Sequence, residues 1–94
     1  MIVHIVFFKL KDKDKDAATL KQMLEAMPAK IGLIKKLEVG IDFNQTQRAC
    51  DLSLITEFES KEDLQAYATH PEHLKVIEFV KQVSQYTQVV DYEK

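Results

Sequence analysis

Residues 2 to 10, Ile2-Val-His-Ile-Val-Phe-Phe-Lys-Leu10, are where the fold is decided. β-Branched and aromatic side chains dominate this stretch, which makes it a strand, yet its apolar character does not alternate. Ile2, Val6, Phe8 and Leu10 share one face, and Val3, Ile5 and Phe7 share the other. Both faces must therefore be kept from water. The chain has 94 residues, enough for one domain over residues 1–94. A domain of this size removes only roughly 60–65% of its unfolded surface from solvent. It cannot supply two helical layers, so helices cover one face of the strand and a second subunit is expected over the other.

Outward from this strand the periods alternate. Lys11-Asp-Lys-Asp-Lys-Asp16 reads as a solvated connection in which Asp14 or Asp16 caps the next helix. Leu20, Met23, Leu24, Met27 and Ile31 form one helical stripe, and Pro28 ends or kinks it in the last turn. Leu37, Val39, Ile41 and Phe43 alternate with polar or small residues, the period of a strand wet on one side. Asn44 to Ala49 connects to a second such strand, Asp51 to Phe58, with Leu52, Leu54, Thr56 and Phe58 on one face. Ser60-Lys-Glu-Asp63 is a capping-box-like helix start, with Leu64, Tyr67 and Ala68 facing inward. His70-Pro71 interrupts that helix and starts another, because the residue before proline avoids the α region while proline suits a first helical position. Gln88 to Tyr92 is a short last strand. The order β-α-β-β-α-β predicts an α+β, ferredoxin-like fold: a four-stranded antiparallel sheet, helices on one face, first and third strands central.

Composition narrows the function. Thirteen Lys+Arg against 15 Asp+Glu give a net charge of −2, a poor footprint for a phosphate backbone, so no nucleic acid partner is expected. The first apolar run is too short for a membrane span and its lysines follow it, unlike a signal peptide, so no membrane partner is expected either. The single Cys50 fits a reducing compartment, and the cytoplasm is the expected location. There is no His-Glu-x-x-His pair, no cysteine pair and no glycine-rich phosphate loop, so neither metal nor cofactor is expected.

The chemistry concentrates on three histidines. His4 lies on the face of Ile2, Val6 and Phe8, where burial favours a neutral imidazole able to act as a base. Tyr67 stands one helical turn before His70 and His73 one turn after it, so a phenol and two imidazoles converge if the break folds both helices around the first strand. A pocket there would be lined by Val6, Phe8, Leu24 and His70. The bland reading stands beside this one: Tyr67 and His4 as core, His70 as the cap of the second helix. His70 fits the cap better.

Met1-Ile-Val-His-Ile-Val-Phe-Phe-Lys-Leu10, Leu37-Glu-Val-Gly-Ile-Asp42 and above all Tyr67-Ala-Thr-His-Pro-Glu-His73 resemble the stress-responsive dimeric A/B barrel (Dabb) family along nearly the whole chain. The resemblance implies a homodimer whose two sheets pack face to face into an α/β barrel. A plant member of that family closes a linear polyketide thioester by intramolecular aldol condensation. By that likeness His73 is the base, Tyr67 holds the developing oxyanion and His4 orients a small apolar ligand between sheet and helices. The alternative is a non-catalytic stress-response or oligomer-assembly module in which the same residues serve packing.

Overall fold

The computed structural model describes residues 1–94. Its elements are β1 (Ile2–Leu10), α1 (Lys13–Glu25), α2 (Met27–Lys30), β2 (Lys36–Ile41), β3 (Leu52–Phe58), α3 (Lys61–Ala68), α4 (Pro71–Val83) and β4 (Ser84–Glu93). All strand pairs are antiparallel and lie in the order β2-β3-β1-β4, so the first and third strands are central, as the split β-α-β order requires. No helix is long and apolar enough to cross a membrane.

Register sorts β1 into two faces. His4 stands opposite Thr56 and Asp91, Val6 opposite Leu54 and Val89, and Phe8 opposite Leu52 and Thr87. This face meets the helices: Val6, Phe8, Leu52, Leu54 and Phe58 join Leu20, Leu24, Met27, Tyr67 and Val76 in one buried core. The other face carries Ile5 in a row with Ile55 and Val90, and Phe7 beside Ser53 and Gln88. No helix covers it, and Phe7, Tyr86, Val90 and Tyr92 stand open to solvent.

Local chemistry explains where the elements begin and end. Asp12, not Asp14 or Asp16, caps α1, accepting from the Lys15 N–H at 3.2 Å. All three aspartates suit a helix start; the helix simply begins earlier, and Asp14 and Asp16 fall in its first turn, where the macrodipole favours carboxylates. Pro28 sits in the first turn of the separate short helix α2. Ser60 caps α3 by accepting from the Asp63 N–H at 3.1 Å.

Two strand ends also depart from the expected pattern. Phe43 does not continue the inward face of β2: the strand stops at Ile41 and Phe43 is 92% exposed. There the Asp42 carboxylate accepts from the Gln45 N–H at 2.7 Å, the Asp42 carbonyl accepts from Lys13 Nζ at 2.6 Å, and Gln45 takes a positive φ of 53°, so the chain turns instead of extending. The last strand is also twice the expected length, running from Ser84 to Glu93 directly out of α4. Its polar first half shows no apolar alternation because it is an edge strand, and the ladder to β1 holds it.

Asp51 locks one end of this sheet. It is buried, its carboxylate accepts from the Leu10 N–H at 2.8 Å, and its own N–H donates to the Phe8 carbonyl at 2.7 Å. Asp51→Ala would leave the buried Leu10 N–H without a partner, so a loss of about 1–3 kcal/mol is expected in urea unfolding, with Asp51→Asn losing clearly less because it keeps an acceptor. Equal losses in the two variants would show that this hydrogen bond does not matter.

Candidate functional site

Between the helix-facing side of the sheet and α4 lies a cavity of about 350 Å³, lined on the sheet side by His4, Val6, Phe8, Leu54, Thr87 and Val89. Leu24 of α1, Tyr67 of α3 and a run along α4 that includes His73, Ile77 and Lys81 complete it. Of the residues that stand out in the sequence, His4, Val6, Phe8, Leu24, Tyr67 and His73 meet here. His70 does not line the cavity. Its Nδ1 instead accepts from the Glu72 N–H at 3.1 Å and caps α4, so the expected place in the pocket lining gives way to the capping role.

Three aromatic rings form a chain at one end of the cavity. Tyr67 and His73 lie 4.1 Å apart between ring centroids with an interplanar angle of 32°, and His4 meets Tyr67 edge-on at 6.1 Å. Phe58 supports the other side of Tyr67 at 4.9 Å. The proline break brings this about: it ends α3 just after Tyr67 and restarts the chain so that His73, in the first turn of α4, folds back over the phenol.

Hydrogen bonding sets the tautomers. A carbonyl can only accept, so His73 Nδ1 carries a proton and donates it to the Ala68 carbonyl at 3.0 Å. In the neutral ring Nε2 then keeps the lone pair. His4 Nδ1 donates in the same way to the Asp91 carboxylate, again leaving Nε2 as the basic nitrogen. The His73 pKa lies below the ordinary imidazole range, chiefly through desolvation, with smaller lowering contributions from His4 and His70, while the hydrogen bond to Ala68 opposes the shift.

Tyr67 behaves in the opposite sense. The residue is 1% exposed, and burial pushes its phenol well above the ordinary value. It therefore stays protonated and keeps an O–H to donate. Its one side-chain hydrogen-bond partner is the Met27 thioether at 4.0 Å, a weak acceptor.

Asp91 does not stand out in the sequence, because it lies 87 residues from His4 and only the β1–β4 register brings the two together. Its signal, an aspartate among apolar residues of a last strand, acquires meaning only once that pairing is known. Lys81 escapes a sequence reading as well, since a lysine in the last turn of a helix reads as ordinary complement to the helix dipole.

The curated relatives include two stress-response A/B barrel domain-containing proteins of Arabidopsis thaliana. The first, DABB1, is 31% identical over 97 residues, covering 98% of this chain and 46% of the relative. The second is 35% identical over 80 residues, covering 82% of this chain and 30% of the relative. The chain thus spans less than half the length of these relatives. Among solved structures, a dimeric protein of unknown function and ferredoxin-like fold from Bacteroides fragilis NCTC 9343 superposes with a TM-score of 0.89 at 36% identity, covering 99% of this chain and 95% of that one. The family model of the stress responsive A/B barrel domain matches residues 2–94, and the chain belongs to that family, Dabb.

Proposed function

We propose that the cavity binds a small, largely apolar carbonyl compound and that His73, Tyr67 and His4 act on it by acid–base chemistry without a cofactor. The observation that carries this reading is the stacked Tyr67–His73 pair at the end of an apolar cavity, with His73 Nδ1 tied to Ala68 and Nε2 left as the base. His73 Nε2 takes the proton from the carbon beside the carbonyl, and the C–H electron pair becomes the enolate. The enolate oxygen accepts a hydrogen bond from Tyr67, which burial keeps protonated. The enolate carbon attacks a second carbonyl of the same molecule, and the proton held by His73 passes to the new alkoxide, closing an aldol. His4, fixed by Asp91, orients the ligand.

The protein works as a homodimer through the open face of the sheet. Support comes from the uncovered apolar row on that face and from the dimeric B. fragilis relative. A non-catalytic assembly module would use the same face but leaves the tautomer arrangement without a role.

The test is a pH titration of the imidazoles by NMR in the wild type and in Tyr67→Phe. His73 is expected to titrate below the ordinary value of about 6.5 and to move when the phenol is removed. The same depression fixes a pH dependence of stability. The folded state takes up the His73 proton less readily than the unfolded state, so this contribution is complete above the unfolded pKa and is lost as pH falls toward the lowered folded value. Urea midpoints should therefore fall between neutral and mildly acidic pH, and less steeply in His73→Gln. A His73 that titrates at the ordinary value and ignores Tyr67→Phe removes the physical basis of the acid–base reading.

A further inference from the structure

We propose that the cavity is shaped for a medium-chain amphiphile with an anionic end group, held with its anion at Lys81 and its other end at the Tyr67–His73 pair. The inference rests on the reading of this cavity as a ligand site and assigns its ligand class.

Two rulers run along the cavity. On α4, His73, Ile77 and Lys81 follow one another at four-residue spacing on one helix face. Eight residues at the helical rise span about 12 Å. On the sheet, the rungs His4–Asp91, Val6–Val89 and Phe8–Thr87 step in the same direction. Four residues of strand cover about 13 Å. The two rulers agree end for end, because α4 runs straight into β4 and its last turn lies near the Thr87 end. One end of the cavity thus carries the imidazoles and the phenol, the middle is Val6, Val76, Ile77, Val80 and Val89, and the far end carries Lys81 and Thr87.

Charge gives the cavity a direction. No carboxylate lines it. The ion pairs of the chain engage Lys9, Lys30, Lys35, Lys36, Lys75 and Lys94, and none engages Lys81. At the opposite end the Asp91 carboxylate sits on His4, so an anion placed there meets a like charge. An anion at the far end meets an ammonium and a hydroxyl donor. A neutral chain of the same length gains nothing from Lys81, and a short anion gains nothing from the apolar middle.

The experiment compares decanoate, below its micelle concentration, with decanol by isothermal titration calorimetry on the wild type, Lys81→Met and Leu24→Arg. Decanoate should bind the wild type at least about fivefold more tightly than decanol at low salt. Lys81→Met should bring decanoate down to the level of decanol and leave decanol unchanged, and added salt should do the same to the wild type. Leu24→Arg, which fills the cavity, should abolish both, with circular dichroism confirming that the variant is folded. Equal affinities for the two probes, unmoved by Lys81→Met, overturn the amphiphile inference and leave the cavity as a site for neutral ligands. Binding of neither probe, or binding indifferent to Leu24→Arg, overturns the reading of the cavity as a ligand site.

Discussion

Ile5→Lys should yield a folded monomer under conditions in which the wild type is expected to sediment as a dimer. Ile5 occupies the middle of the open sheet face, in register with Ile55 on one side and Val90 on the other, and Phe7, Tyr86 and Tyr92 extend the apolar surface around it. In a two-fold interface each patch meets its own copy, so one substitution is felt twice. An ammonium at the centre must then be buried without a partner, whereas in the monomer the lysine stem lies along the sheet and its head reaches water. A central position of this kind is expected to weaken dimerisation by at least about 2 kcal/mol, or roughly thirtyfold or more in dissociation constant. Sedimentation velocity at tens of micromolar reads the result, with circular dichroism to verify the fold. A wild type that sediments as a monomer removes the homodimer reading. A variant that stays dimeric moves the interface to another surface.

The same strand explains why so much of the fold could be read from the sequence. Where side chains answer to one local constraint, the pattern is unambiguous. Val6, Phe8 and Leu10 of β1, and Leu52, Leu54, Thr56 and Phe58 of β3, are buried on the face that packs against the helices, while Ile5 and Phe7 mark the face that no helix covers. Ser60 and Pro71 mark helix starts through groups that act within three residues of themselves. Legibility fails where several residues satisfy the same local rule, as with three aspartates that can each cap α1. It fails again where a long-range contact decides: the turn at Asp42 that exposes Phe43 depends on Lys13, and the length of β4 depends on its ladder with β1. At the candidate site the convergence of His4, Tyr67 and His73 follows from spacing and the proline break. The Asp91 partner and the directional charge at Lys81 do not, because both depend on how β4 and α4 lie against β1.

Tyr67 is where packing and proposed chemistry can be separated, and two substitutions should split cleanly. The ring is fully buried between Phe58 and His73, so Tyr67→Ala should cost about 3–5 kcal/mol. That is a large share of the total stability of about 5–15 kcal/mol for a small domain, and it should appear as a large fall in the urea midpoint. Tyr67→Phe keeps the ring and removes only a hydroxyl whose one side-chain hydrogen-bond partner is the weakly accepting Met27 thioether, so its stability should stay within about 1 kcal/mol of the wild type. Its effect on chemistry should be far larger, because phenylalanine offers no donor to an enolate oxygen; loss of one such donor lowers a rate by about a hundred- to a thousandfold. Proton–deuterium exchange at the carbon beside the carbonyl of a long-chain methyl ketone, followed by NMR, measures the step directly. Wild-type protein should accelerate the exchange, Tyr67→Phe should remove most of the acceleration while remaining as stable as the wild type, and His73→Gln should remove it as well. If Tyr67→Phe instead loses stability as Tyr67→Ala does, the hydroxyl is a structural group; if it exchanges deuterium as fast as the wild type, the oxyanion role is wrong and the ring serves only to pack His73 against the sheet.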